Sequence, residues 1–324
     1  KNTTGASNVA IGNSALNTNT TGAQNIAIGR SALQLNATTG NNTAVGFEAL
    51  RANVATGNTA VGYLAGRANT TGVRNTAIGT EALKTVATGN DNVALGFHTL
   101  LVAVGSNNSG FGSNVLEQTT TGAGNTAVGA AAMYGNIGGA TNTAIGQNAL
   151  IANTSGSHNT AVGADALDAN TTANDNTAVG HQALSTNISG TKNTAVGKGA
   201  LTTNAVSNNT AIGYNAMNLN TTGANNTALG SFAMENNTTG TRNLAIGYAA
   251  YDASDTENDN VAIGYDAMTT NTAGGTRNVA VGNYALDALT SADDNVALGY
   301  NAGTSITSAG NCTFVGKQAG GSVT

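Results

Sequence analysis

The chain has 324 residues, of which 8% are charged and 4% are aromatic, with 44 glycines, one cysteine and no proline or tryptophan. So few large apolar side chains exclude an ordinary globule with a wide core of leucine, phenylalanine and tryptophan. Eleven basic residues against 16 acidic ones give a net charge of −5, so the chain has no positive electrostatic field that would attract nucleic-acid phosphates. No apolar run is long enough for membrane insertion.

A short phrase, Asn-(Thr/Val)-Ala-(Val/Ile)-Gly, recurs with few variations along the whole chain. Its nineteen closing glycines, from Gly12 to Gly316, are mostly 17 residues apart, with three steps of 16 and one of 18. A fixed short period indicates a solenoid, and 17 residues are too few for helical repeats, which need about 33. We therefore predict one coil of backbone per repeat and a single continuous array over residues 1–324, a fragment of a longer chain.

Each coil is numbered here from its Asn, so the coil that begins at Asn142 ends with His158 at position seventeen. Positions two and four are mostly β-branched, position three is Ala in all but two coils, and position five is Gly. This alternation predicts a short strand with one bulky face and one nearly bare face. We expect the bulky face to turn toward the core and the bare face to turn outward.

A second apolar spot lies at positions eight and nine, usually Ala-Leu as in Ala15-Leu16, and is predicted to pack against the bulky face. The remainder, Asn-Thr-Thr-Gly and its variants, is turn chemistry, because Asn and Gly tolerate positive φ and Thr and Asn side chains bond the local backbone. The predicted fold is all-β, a parallel β-solenoid of about nineteen 17-residue coils.

Asparagine occupies position one of every coil except the last, where Cys312 stands. Identical residues of stacked coils lie above one another, and stacked Asn amides can bond coil to coil. We predict a structural ladder here rather than a ligand site. Its representative members are Asn8, Asn25, Asn42, Asn142, Asn159 and Asn176.

The bare face of the strands would expose backbone and methyl groups to water unless another surface packs against it. Small residues let backbones approach closely, and closed rotational symmetry satisfies identical surfaces. We predict a side-by-side homotrimer with this stripe near its axis, the alternative being a monomer that uses position three inside its own coil. The predicted oligomer stripe includes Ala44, Ala144, Ala161, Ala178, Gly146, Gly163 and Gly180.

Four tyrosines share position six in the C-terminal third: Tyr214, Tyr248, Tyr265 and Tyr300. Positions six and seven vary freely and carry charge, so they are outward bends. The row is predicted either to bind a surface ligand, by stacking on sugar rings, or to pack along the outside of the coils.

Catalysis finds no support in the sequence. His98, His158 and His181 occupy different coil positions and lie several coils apart, whereas a metal or proton-relay site needs convergent groups. The acidic column of calcium-binding β-rolls is also missing. We predict no enzymatic activity, no cofactor and no obligatory metal.

The segment Asn8 to Ala15 resembles the head repeat of YadA-like trimeric autotransporter adhesins. The longer coil with Asn-Thr-Thr-Gly, and the closing segment 311–320, resemble the related repeat shafts of phage and bacterial tail-fibre-domain proteins. The resemblance implies a left-handed β-roll, three chains side by side, and an extracellular place on a virion fibre or bacterial cell surface. Adhesin head units are shorter, which leaves handedness and chain number open.

Three functions follow from these features. The first is a structural fibre shaft or adhesin-head segment that projects or forms a region binding a cell-surface glycan or protein receptor. The second is a self-assembling extracellular filament or matrix protein, joined end to end. The third, an ice-binding solenoid, is suggested by Thr columns at positions two and fourteen and ranks last, because Val9 and Ile26 interrupt the column at position two.

Overall fold

The computed structural model describes residues 2–271 and 274–321, where the regular secondary structure consists of nineteen β-strands of three residues each. The chain divides into two compact units, Lys1–Asn159 with the first nine strands and Thr160–Thr324 with the other ten. The strands are β1 (Val9–Ile11), β2 (Ile26–Ile28), β3 (Thr43–Val45), β4 (Thr59–Val61), β5 (Thr76–Ile78), β6 (Val93–Leu95), β7 (Ser109–Phe111), β8 (Thr126–Val128), β9 (Thr143–Ile145), β10 (Thr160–Val162), β11 (Thr177–Val179), β12 (Thr194–Val196), β13 (Thr210–Ile212), β14 (Thr227–Leu229), β15 (Leu244–Ile246), β16 (Val261–Ile263), β17 (Val279–Val281), β18 (Val296–Leu298) and β19 (Thr313–Val315).

Within each unit, every strand pairs in parallel with the next strand along the chain, and each coil position lies opposite the same position. In the first unit Ala44 of β3 lies opposite Ala60 of β4, and in the second unit Ala178 of β11 lies opposite Ala195 of β12. The register survives the one-residue slips, because the first of these pairs spans a 16-residue step. The prediction of an all-β parallel solenoid with coils of about 17 residues is confirmed.

The strands face the opposite way from the prediction. Ala44, Ala144, Ala161 and Ala178 have 0% of their surface exposed within the chain itself, whereas Ile145 at position four is 41% exposed. The coil is so narrow that a methyl group fills the space between the strand and the turn packed against it, and a larger side chain has room only on the open side. These alanines are core residues, so the expectation that they line an interface between copies is wrong.

The glycines of the predicted stripe form a different column, at position five. Gly146, Gly163 and Gly180 are half-buried, and all position-five φ angles lie between 120° and 144°, a region that side chains rarely adopt. A Cβ on Gly163 would lie 2.6 Å from the carbonyl of Gly180, and one on Gly180 would lie 2.5 Å from the oxygen of Gly197. This column therefore serves the close stacking of successive coils.

The core of a coil consists of two methyl groups and one larger side chain. In the coil that begins at Asn176, Ala178, Ala183 and Leu184 are completely buried. Position nine has a left-handed backbone, with φ of 52° at Leu184, so the chain bends back beneath the strand instead of continuing as a helix. Burial of one leucine contributes about 1.5–3 kcal/mol, and repetition along the stack gives the fold its apolar stabilisation.

Buried asparagines at position one add a polar ladder to this thin core. The Oδ1 of Asn8 accepts a hydrogen bond from the backbone N–H of Asn25 at 2.9 Å, and Asn25 in turn accepts from Asn42 at 3.1 Å. The same bond joins Asn159 to Asn142 at 2.9 Å, and the amide of Asn176 donates to a turn carbonyl of its own coil. Each amide therefore ties a strand to the adjacent coil and to its own turn.

A second asparagine column, at position twelve, is buried as well. Asn53 is fully buried, and its Oδ1 accepts hydrogen bonds from the amides of Asn58 at 3.0 Å and Asn69 at 2.7 Å. Asn204 makes the same pair of bonds in the second unit. Both belong to 16-residue coils, so the shortened turn links the two asparagine columns.

One coil departs from the pattern at three coordinated positions. Tyr251 replaces the leucine of position nine, is completely buried, and accepts a hydrogen bond through its hydroxyl from the amide of Asn271 at 3.3 Å. Ser254 stands where most coils have Asn, and the tyrosine hydroxyl supplies a polar group in place of the missing amide. Glu257 stands where most coils have Gly, and its carboxylate accepts from the hydroxyl of Ser254 at 2.9 Å.

Candidate functional site

The side chains at positions two and four of the strands form one exposed surface, which we call the outer sheet face. At position four Ile212 is 38% exposed, Leu229 44% and Leu298 47%. Position four is Val, Ile or Leu in every strand except β7, which has Phe111. The parallel register aligns these side chains into a continuous apolar column within each unit.

Position two adds a more polar column to the outer sheet face. It holds Thr in most strands and Val, Ile, Leu or Ser in the others, so the face carries no charged residue. Contiguous apolar patches of more than a few hundred Å² are uncommon on monomeric proteins and mark interaction sites.

Six aromatic rings make a second surface feature, in the second unit, which we call the aromatic strip. The predicted Tyr214, Tyr248, Tyr265 and Tyr300 are 42–48% exposed and do lie in one row. Phe232 and Tyr284, both at position seven, complete it. Successive ring centroids are 5.2 Å apart from Tyr214 to Phe232, 5.7 Å to Tyr248, 5.3 Å to Tyr265, 5.4 Å to Tyr284 and 6.0 Å to Tyr300.

The sequence held the signal for the two missed rings. The coils that begin at Asn226 and Asn278 lack an aromatic residue at position six, where they have Ser231 and Asn283, and each has one at position seven instead. Reading position six alone showed a broken row of tyrosines. Reading positions six and seven together predicts a continuous strip, because adjacent outward positions are close enough for ring contact.

Four carboxylates accompany the aromatic strip and form what we call the acidic row: Glu235, Asp252 and Asp287 at position ten, and Asp266 at position seven. Burial, followed by repulsion from Asp266 and Glu235, raises the pKa of Asp252 to about 6. Burial also raises the pKa values of Asp266 and Asp287. The charge of Asp266, the next residue in the chain, raises the pKa of the Tyr265 hydroxyl.

The same positions of the first unit carry a different set of side chains. Arg67 and Glu48 form an ion pair at 2.6 Å, and Glu81 contacts both Lys84 at 3.0 Å and His98 at 3.1 Å. Aromatic contacts occur there as separate pairs, such as Phe47 with Tyr63 and Phe97 with His98. This surface is therefore a mixture of neutralised charges and short aromatic contacts.

The three histidines lie in different surroundings. His98 stacks on Phe97, and His181 lies 4.0 Å from Asp165. Cys312 is a free, partly exposed thiol whose Sγ lies 3.5 Å from the carbonyl oxygen of Gly310. Across residues 2–271 and 274–321, no cluster of three or more His, Cys, Asp or Glu side chains has the arrangement of a metal site.

Comparison with known proteins adds no family to this description. The chain matches no family model, and no curated protein matches it significantly. The described residues include no helix with the length and hydrophobicity of a membrane span.

Proposed function

We propose that the chain is a segment of a fibre shaft or adhesin head on a virion or bacterial surface. Three copies pack side by side through their outer sheet faces, in a left-handed β-roll. The exposed aliphatic column at position four is the observation that carries the proposal, because it repeats in every strand except β7 and lies open in the single chain. The resemblance to trimeric adhesin heads and tail-fibre shafts supplies the number of copies and the extracellular location.

Copies of the same chain are the partner that best fits this face. The face carries no charge that would select a differently charged protein, and its chemistry is the same in both units. Side chains of Val, Ile and Leu interdigitate well with one another, and closed symmetry covers identical surfaces without leaving an open one. The interface thus uses the bulky side of the strand, and the alanines remain inside each coil.

Mass measurement with matched lysine variants tests this arrangement. We expect native mass spectrometry and sedimentation to show a trimer for the parent chain. The variant Val61→Lys, Ile145→Lys, Ile212→Lys, Leu298→Lys should be monomeric with an unchanged circular dichroism spectrum, because these side chains point away from the core. Lysines facing each other in an apolar interface are strongly unfavourable.

The control places lysines on turns of the same four coils, at exposed position fourteen: Thr71→Lys, Ser155→Lys, Thr222→Lys and Ser308→Lys. It has the same added charge and should remain trimeric. A monomeric parent chain, or a trimer that survives the position-four substitutions, contradicts the proposal. A monomer that arrests ice growth would instead support ice binding by the threonine column, and filaments that lengthen end to end would support the matrix alternative.

A further inference from the structure

We propose that the aromatic strip and the acidic row together bind a linear oligosaccharide of amino sugars. The inference rests on the proposed function, because it gives the receptor-binding region of the fibre a place and a ligand class. It combines two surfaces that run along the same coils, one aromatic and one anionic. Neither the outer sheet face nor the interior of the coils takes part.

The aromatic strip offers one ring per coil over six successive coils, with four tyrosines 42–48% exposed. Tyrosine presents an apolar ring and a polar hydroxyl together, a combination that suits partners with both kinds of surface. A pyranose ring has that character, because its C–H groups form an apolar face while its hydroxyls project from the edge. The strip can therefore contact several sugar rings in a row.

The acidic row defines the charge of the ligand. At positions six, seven and ten of the coils from Asn209 to Thr304 there is no lysine or arginine, while Lys198 and Lys317 occupy position six in the coils on either side. The four carboxylates therefore lack a cationic side chain at these positions. An ammonium group on the ligand would supply the complementary charge and also interact with the ring faces.

Ala249 marks the place where the aromatic strip and the acidic row meet. Position seven reads Phe232, Ala249 and Asp266 in three successive coils, and Tyr248 precedes the alanine. Ala249 is only 7% exposed, between the larger Phe232 and Asp266 of the neighbouring coils. Tyr248 precedes Ala249 in the chain and Asp266 occupies the same position of the next coil, so an ammonium group bound beside Ala249 would have an aromatic ring and a carboxylate as neighbours.

The spacing of the rings favours a sugar chain over a basic peptide. Rings recur every 5.2–6.0 Å along the strip. An extended peptide presents side chains on one face only every second residue, about 6.6–6.8 Å apart. Because this spacing is longer than that of the rings, side chains and rings no longer coincide after a few coils. A linear chain of amino sugars brings one ring and one amine with each unit, which matches one aromatic ring per coil.

Isothermal titration calorimetry with three probes tests the proposal: a glucosamine hexamer, the N-acetylglucosamine hexamer and hexalysine. The parent chain should bind the glucosamine hexamer about tenfold or more tighter than either of the others, because only this probe has both the sugar rings and the amines. Equal binding of the N-acetylated hexamer would show that the carboxylates are not used, and equal or tighter binding of hexalysine would show a site for basic peptides. Either result, or no binding at all, overturns the proposal.

Two double variants assign the binding to these residues. Tyr248→Ala/Tyr265→Ala and Asp252→Asn/Asp266→Asn should each weaken binding of the glucosamine hexamer by about tenfold or more. The control Tyr63→Ala removes a ring of the first unit that is 51% exposed and should bind like the parent chain. Unchanged affinity in either double variant contradicts the assignment.

Native mass spectra of the same samples separate this inference from the proposed function. A trimer that does not bind the glucosamine hexamer refutes the amino-sugar site alone. A monomer that binds it refutes the side-by-side arrangement and retains the site.

Discussion

The two units carry different side chains at the same outward positions of the coil. In the first unit these positions hold ion pairs such as Arg67 with Glu48, and aromatic residues meet only in pairs. In the second unit six rings form one strip, and the carboxylates beside it stand without lysine or arginine at these positions. The inward positions do not differ in this way, because alanine at positions three and eight is buried in both units.

The contrast shows which residues make the fold and which make the surface. A coil closes when two methyl groups, one leucine or methionine and the asparagine amides are in place. The side chains at the outward positions are then not needed to close the coil, and their residue types can differ from coil to coil. Differences between the units at these positions are therefore the best guide to function. Substitutions in the interior should destabilise both units, whereas substitutions at the surface should affect one unit only.

The largest effect is expected from filling the interior. Ala44→Leu in the first unit and Ala245→Leu in the second should each lower the free energy of unfolding by about 3 kcal/mol, because both alanines are completely buried in a coil with no spare room. Urea unfolding followed by circular dichroism measures this. The exposed substitution Thr80→Leu is the control and should have little effect. If the two variants unfold like the parent chain but no longer form the oligomer, these alanines lie at an interface between copies instead.

A smaller difference should distinguish two asparagines of the position-twelve column. Asn53→Ala in the first unit should cost about 2–3 kcal/mol, because two buried amide donors lose the Oδ1 that accepts them. Asn187→Ala in the second unit should cost about 1 kcal/mol, because its Oδ1 has no partner in the described chain and only its bond to Gly190 is lost. Equal losses in urea unfolding would show that the linked bonds of Asn53 add nothing.

The acidic row should give the second unit a pH response of its own. The pKa of Asp252 is about 6 in the folded chain against about 3.9 for an unfolded aspartate, so the folded state holds the proton more tightly. Stability from this group is therefore greatest below pH 4 and falls as pH rises toward 6. Asp252→Asn should raise the free energy of unfolding at pH 7 by about 1 kcal/mol, after allowance for solvent screening, and the gain should vanish near pH 4.

Glu81 provides the opposite case in the first unit. Its hydrogen bond with Lys84 lowers the pKa of the Glu81 carboxyl, so its contribution is present above the unfolded pKa and is lost as pH falls through the folded value. Glu81→Gln should therefore be destabilising at neutral pH and neutral in acid. If the two variants respond to pH with the same sign, the electrostatic difference between the units is not the one described.

The smallest effects are expected from exposed ion pairs between the last residues of neighbouring coils. Arg74→Ala in the first unit should leave unfolding unchanged, since the pair with Asp91 is highly exposed and screened by water and salt. Arg277→Ala should behave alike, although Arg277 interacts with Asp294 and, more weakly, with Asp259 of the preceding coil. A measurable loss for Arg277 alone, abolished by added salt, would show that charges alternating along the second unit act as a network.

The repeat period was sufficient to predict the coil, the parallel pairing and the register, because each of these follows from spacing alone. The direction in which the strand faces was not predictable by the usual rule. Alternation of Thr177, Ala178 and Val179 shows that the two faces differ, and large apolar side chains normally turn inward. Here the narrow coil admits only the methyl group, a constraint of width that no single strand reveals.

The surface site was predictable in part. Four tyrosines in one column pointed to a row, whereas Phe232 and Tyr284 escaped because they lie one position away. The burial of Tyr251 was also missed, since its hydroxyl fills a gap left by Ser254 three residues later. Both cases depend on compensation between neighbouring positions, which a column-by-column reading does not detect.

The buried asparagines at position twelve have a consequence for how the protein can be produced. Asn69, Asn153 and Asn220 each begin an Asn-x-Thr/Ser tripeptide, the acceptor sequence for N-linked glycans in secretory pathways. At most 2% of the surface of these asparagines is exposed after folding, so a transferase could reach them only on the unfolded chain. A glycan attached at that moment would keep the coil from closing. Expression in a compartment without glycosyl transfer is therefore the route to a folded product, and a eukaryotic secretory host should give glycosylated, misfolded material.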